Sequence, residues 1–248
     1  MTLLSYCGYA LIGLGPAGVL LGTVLRKPFL LIVVLASAFF WLLTLMLIGI
    51  PAKLLLVAEG SSPLLVFLLL LSVSVQESVR WIYWRLCRFT ESALDALAEK
   101  QSKAKLSALD KLSIYLASGL GHGLAHSAMF FLALLTPTLG AATYYLEGCP
   151  EVPFFLAAVL ASLGFLVLHT FSMVVALDGY ARKKPKQVLF VLGLHYAAAL
   201  LMISSTLASG CAFSITSSLC CGFVSLVACA FLLWHRTSGY VPLSIEPS

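Results

Sequence analysis

Hydrophobic positions in this chain neither alternate nor keep to one helical face; they run on unbroken between short polar stops. Measured by freedom from Asp, Glu, Lys and Arg, residues 1–25 form one run and 28–52 a second, with Arg26 and Lys27 between them. A third span, Leu64 to Trp84, is broken by Glu77 and Arg80 and ends on Trp81, Tyr83 and Trp84, an aromatic composition expected at the headgroup level of a bilayer. Residues 112–146 follow, closed by Pro137 and a turn-rich stretch, and then 152–177. The last run, 187–235, has 49 residues, more than twice the roughly 20 of one span. It splits near Ser204, Ser205, Ser209 and Gly210. The pattern therefore predicts seven transmembrane helices, at about 3–25, 28–50, 64–84, 112–136, 153–177, 187–208 and 212–234. Loops should be short, the longest having about thirty residues after the third helix. No internal repeat or low-complexity linker divides residues 1–248, so one domain is expected.

Composition narrows the class. Of 248 residues, 61% are hydrophobic and 10% charged, with a mean hydropathy of +1.04. A soluble domain carries about 25% charged residues, so a water-soluble globule is excluded and an all-α polytopic membrane protein is expected. The spans leave no room for a separate catalytic domain. The net charge of +5 is confined: eleven of the fifteen Lys and Arg lie between Arg80 and Lys111 or between Arg182 and Lys186. Basic clusters beside apolar runs mark cytosolic loops, which removes the nucleic-acid reading. With the N-terminus lumenal or extracellular and the C-terminus cytosolic, fourteen basic residues face the cytosol and only Lys53 lies outside. No basic residue precedes Arg26, so the first run lacks the charged start of a signal peptide and should be retained as a span. The chain has no Asn, and hence no N-glycan acceptor.

Ionisable groups inside a bilayer are costly and so become candidates. Glu77 and Arg80, preceded by Gln76, have the i, i+3 spacing of an ion pair on one face of helix three. His169 stands nine residues before Asp178, and His195 nine after Lys186. Across the short loop between helices five and six, both imidazoles reach a depth of about 13 Å. His122 lies at comparable depth in helix four, with His126 one turn deeper. Together they could form a polar patch from three helices. His122 and His126 have zinc-protease spacing, but Gly123 occupies the position of the general-base Glu, so neither metal nor cofactor is expected. Gly119, Gly123 and Ser127 recur every fourth residue, a small-residue ridge that admits a close helix neighbour. On an ideal helix His122 and His126 fall within about 60° of Gly119, on the same broad face. A Ser–His protease built on Ser118-Gly119 would need a Gly at position 116, which is Leu. A transporter or a seven-helix receptor remains the alternative by topology.

The seven cysteines show no metal spacing. Cys149 and Cys211 fall in lumenal loops, where a disulfide would persist; each could equally be a small apolar filler. Cys7 is the competing partner.

These residues resemble the Aph (anterior-pharynx-defective) family, and most closely its plant members. The resemblance runs through Gly15-Pro16-Ala17, Phe39-Phe40-Trp41-Leu42, Gln76-Glu77 with Arg80, Gly119-Leu120 with Gly123, His169-Thr170-Phe171 and His195. It implies a noncatalytic scaffold of the γ-secretase intramembrane aspartyl protease, assembled with presenilin, nicastrin and the small presenilin-enhancer subunit among membrane lipids. It further implies a place in the endoplasmic reticulum, Golgi and plasma membrane, and a part in cleaving Notch-type and other type I membrane proteins. By the same resemblance, Gly119 and Gly123 would support assembly, and His169 and His195 would line a cavity that receives part of presenilin. Ser127 departs from the third Gly of the animal pattern but is still small. No span is expected to bury an Asp, since Asp178 follows a helix end.

Overall fold

The structure is a computed structural model that describes residues 3–59, 62–138, 145, 149–150, 152–206 and 210–238. Among these, seven α-helices follow in order: α1 (Leu3–Val24), α2 (Phe29–Glu59), α3 (Ser62–Lys100), α4 (Ala108–Thr138), α5 (Phe154–Ala181), α6 (Pro185–Met202) and α7 (Cys211–Thr237). The chain is an all-α polytopic membrane protein. Six helices are long and apolar enough to cross a membrane. The exception is α4, whose interior Ser, Gly and His lower its hydropathy; α1, α2 and α5 pack around it instead of lipid.

The central helix is α5. It packs on α1, α4, α6 and α7, and 61% of its apolar window is buried, against 33% at most in the other five apolar helices. Small residues permit this. A Cβ on Gly164 would lie 2.7 Å from the Ser218 carbonyl carbon, and one on Gly222 would lie 2.7 Å from the Gly164 oxygen. Backbone therefore meets backbone between α5 and α7, the close approach that membrane helices use to gain dispersion contacts. The largest core joins Leu120 of α4, Met173 and Leu177 of α5, Val191 of α6 and Cys229 of α7.

Several boundaries differ from the sequence pattern. The second helix does not stop at 50 but continues through Pro51 and Lys53 to Glu59. The third continues from Trp84 to Lys100, so the expected thirty-residue loop contracts to residues 101–107. The extension is rich in strong helix formers (Ala93, Leu94, Ala96, Leu97, Ala98) and carries an Arg88–Glu91 ion pair of 2.8 Å one turn apart. Charge that reads as loop in the sequence marks a helix leaving the membrane. Trp81 is exposed beneath the Arg85 guanidinium, but Tyr83 and Trp84 turn inward, toward Ser118 and Tyr180. The start of α4 is closed by a capping box: Ser107 Oγ accepts from the Asp110 N–H, and Asp110 Oδ2 accepts from the Ser107 N–H. Lys27, between α1 and α2, binds Asp110 at 2.8 Å. That ammonium, with the Ser107 hydroxyl, holds the Asp110 carboxyl down at about 2.

The long final run divides where expected. There α6 ends in a 3-10 turn, Ile203–Thr206, in which Ser204 and Ser205 hydroxyls donate to the Leu201 and Met202 carbonyls, competing with the helical ladder. Ser209 and the end of the predicted 187–208 helix lie outside the described residues.

Candidate functional site

The polar centre is assembled from α3, α4, α5 and α6. On α3, Arg80 Nη1 donates to both carboxylate oxygens of Glu77, at 2.6 and 2.8 Å. The Arg80 side chain is 1% exposed, and its Nη2 reaches Ser172 Oγ of α5 at 3.5 Å. Glu77 is shared: His195 Nδ1 of α6 donates to its Oε1 at 2.6 Å. One carboxylate thus anchors an Arg of its own helix and a His of another, and Ser74 and Tyr196 hydroxyls, 2.7 Å apart, repeat the α3–α6 link one turn away. Gln76 takes no part in the pair. One residue along, it points about 100° away, donating to Ser72 Oγ at 3.1 Å.

The four membrane histidines meet. His169 is the hub, with its ring centre 5.0 Å from His122, 4.9 Å from His126 and 5.1 Å from His195. Trp41 of α2 closes over His126 at 5.3 Å, and Phe165 stacks on the same ring at 5.4 Å. His122, His169 and His195 are buried. His122 Nε2, His126 Nδ1 and His169 Nδ1 find no hydrogen-bond partner among the described residues. Buried polar atoms of that kind call for a ligand, a water or a partner. Among the described residues no group of three or more His, Cys, Asp or Glu has a geometry that could hold a metal ion. The two polar features expected separately, an ion pair on one helix and histidines on three others, form one network through Glu77 and His195.

Beside this network a cavity of about 370 Å³ opens between the helices. His126 and the buried Ser162 give it polar points; Phe130, Phe154, Phe165 and Met202 line its apolar wall. Ser162 Oγ also lacks a partner among the described residues. His169 and His195 stand behind this wall, packed in the bundle, and do not line the cavity.

The small-residue ridge faces α5 of the same chain. A Cβ on Gly119 would lie 2.0 Å from the Thr170 carbonyl oxygen, and one on Gly123 would lie 2.6 Å from Thr170 Oγ1 and 2.8 Å from the Leu166 oxygen. Ser127, fully buried, donates to the Ser162 carbonyl at 3.5 Å. The opposite face carries a contact that the i, i+4 ridge did not include: Gly121 lies against α2, where a Cβ would meet the Val34 oxygen at 2.1 Å. Its signal was the i+2 spacing from Gly119, which serves two faces at once.

Three further groups bear on the chemistry. Asp178 lies inside the last turn of α5 and is 2% exposed, so an Asp is buried after all; Arg236 of α7 binds its Oδ1 and supplies the countercharge. Ser118 donates to the Ile114 carbonyl and contacts the Tyr83 hydroxyl, partners unlike the His of a serine protease. At the opposite end of the bundle, Cys149 and Cys211 form a disulfide with Cα atoms 5.2 Å apart, tying the segment before α5 to the start of α7.

Comparison with known proteins bears on all of these positions. Residues 4–236 match the family model described as Aph-1 protein. The chain is 37% identical over 243 residues to "Gamma-secretase subunit APH1-like" of Arabidopsis thaliana, with 95% of each chain covered. It is 29% identical to "Gamma-secretase subunit Aph-1" of Drosophila melanogaster, with 82% of each covered. With "Gamma-secretase subunit APH-1B" of Homo sapiens the identity is 30%, over 79% of this chain and 76% of the relative. A match that runs from α1 into the end of α7 leaves one conclusion, that this chain belongs to the Aph-1 family.

Proposed function

We propose that this chain is a noncatalytic scaffold of the γ-secretase complex, holding presenilin, nicastrin and the presenilin-enhancer subunit so that type I membrane proteins, including those of Notch type, can be cleaved within the bilayer. The observation that carries this reading is the cavity of about 370 Å³ set against a polar network with unpartnered nitrogens. It is a preformed socket for a segment of another membrane protein, fixed from behind by the Glu77–Arg80–His195 linkage. In this reading Gly119, Gly123 and Ser127 support assembly indirectly, by drawing α4 onto α5 so that His126 and Ser162 face one cavity. Noncatalytic standing is supported by the carboxylates. An aspartyl protease needs two facing carboxyls that share a proton. Here the half-buried Glu77 and the buried Glu91 and Asp178 are each bound by an Arg.

In this reading the N-terminus lies in the lumen and the C-terminus in the cytosol. Fourteen of the fifteen basic residues then share the cytosolic side, and the Cys149–Cys211 bridge faces the oxidising lumen of the endoplasmic reticulum and Golgi. Affinity purification in mild detergent tests the proposal: presenilin and nicastrin homologues should co-purify, and His126→Leu with Ser162→Leu should reduce their recovery while the chain still inserts. A chain that purifies alone and supports substrate-dependent flux would be a transporter.

A further inference from the structure

The basic end of the bundle holds a second cavity, about 560 Å³, between the ends of α5, α6 and α7. Its rim is basic: Arg182, Lys184, Lys186 and Arg236 all line it. Arg236 is taken up by Asp178, whereas Arg182, Lys184 and Lys186 are exposed and have no ion-pair partner among the described residues. Its floor is apolar, formed by Val175, Phe190, Phe231 and Leu232.

The rim is held in place by backbone geometry. The turn after α5 is a Schellman motif: the Lys184 N–H donates to the Gly179 carbonyl at 2.8 Å and the Lys183 N–H to the Tyr180 carbonyl at 3.3 Å. Lys183 takes the left-handed position at φ 56°, which turns the chain back within three residues. Pro185 then opens α6, whose positive dipole end lies at the same rim, with the Gln187 N–H tied back to the Lys184 carbonyl at 3.1 Å. Nearby Gln187 lines the cavity, and its Oε1 finds no partner among the described residues.

We infer that this cavity binds an anionic phospholipid, its phosphate between Lys184, Lys186 and Arg182 and its acyl chain along Phe190, Phe231 and Leu232. Three uncompensated cations select an oxyanion. A soluble phosphate would satisfy them equally, but it has no use for the apolar floor that descends between α6 and α7, both membrane-spanning by length and composition. The site lies at the other end of the bundle from the Cys149–Cys211 bridge and does not depend on the proposed partners.

Native mass spectrometry of the full chain in detergent, titrated with dioleoyl-phosphatidylserine or dioleoyl-phosphatidylcholine, reads this directly. Phosphatidylserine should bind at least tenfold more tightly. Each basic residue at an anionic lipid surface strengthens binding roughly fivefold, so Lys184→Gln with Lys186→Gln should weaken phosphatidylserine binding about 25-fold. Both side chains are exposed, and neither substitution should disturb the fold; the Cys149–Cys211 bridge, assayed by thiol labelling, provides the check. Phe231→Ser should weaken both lipids and leave the preference intact. Equal affinity for the two lipids, or an unchanged preference in the double variant, would overturn the inference. Displacement of phosphatidylserine by millimolar inorganic phosphate would assign the cations to a soluble anion and overturn it equally.

Discussion

Replacing Gly119 with Ala adds one methyl group at the tightest point of the bundle. That Cβ would sit 2.0 Å from the Thr170 carbonyl oxygen, 2.9 Å from its carbon and 3.2 Å from Met173 Cβ. The first two atoms are backbone and cannot rotate aside, so α4 and α5 must part by more than an ångström. Overpacking of this kind costs about 1–3 kcal/mol, and a backbone obstacle places it at the upper end. Ala favours a helix over Gly by about 1 kcal/mol, leaving a net loss of about 2 kcal/mol. The parted helices would also move His122 and His126 away from His169. Gly18 supplies the internal control, because a Cβ there meets nothing within 4 Å; Gly18→Ala should be neutral or slightly stabilising. Thermal unfolding of both variants in the same detergent, followed by thiol accessibility of the buried Cys229, gives the comparison. If Gly119→Ala melts with Gly18→Ala, the α4–α5 contact is not as close as drawn and the small-residue ridge has another purpose.

The remaining predictions concern charge and cross-links. Glu77→Gln and His195→Ala should each lower stability, and their double-mutant cycle should show coupling of about 1–3 kcal/mol; strict additivity in the same unfolding assay would separate the two helices. Arg236→Ala strands the buried Asp178 carboxylate and should cost about 3–5 kcal/mol, and Asp178→Asn in the same chain should recover much of the loss. Asp110 has its carboxyl depressed to about 2 by Lys27 and Ser107, so its contribution is present above about pH 4 and lost as pH falls toward 2. The melting difference between wild type and Asp110→Asn should accordingly be small, under about 1 kcal/mol for so exposed a pair, and should close over that window. Cys149→Ser opens a bridge between residues 62 apart and should cost about 2–4 kcal/mol, with reduction of the wild-type protein producing the same shift.

The number of helices was legible because a bilayer imposes a length on each, and polar stops between apolar runs record it. Helix ends were less so, and for one reason. Freedom from charge measures the membrane, not the helix, and α3 goes on for sixteen residues beyond Trp84 on the strength of helix propensity and a one-turn ion pair. The same confusion hid Asp178. Its charge places it past a helix end in the sequence pattern, yet α5 continues three residues beyond it to Ala181, and the compensating Arg236 comes from a helix 58 residues away.

The centre was legible in parts but not as a whole, and the missing step was pairing between helices. Spacing along one helix is fixed by 3.6 residues per turn, so Glu77 and Arg80 could be matched from the sequence, as could Gly119, Gly123 and Ser127. Depth could be counted from the loop between α5 and α6, and His169 and His195 do meet, at 5.1 Å. No such ruler says which face of α3 looks at α6. Yet an Arg 1% exposed cannot be left with one carboxylate at its own surface, because a buried pair is stable only when its remaining polar atoms are also satisfied. Burial of Arg80 favours a Glu77 held from a second side, and of the helices that carry histidines near that depth, α6 with His195 packs most extensively against α3. The charge that reads in the sequence as an ion pair within one helix is in this way what ties α3 to the histidine cluster.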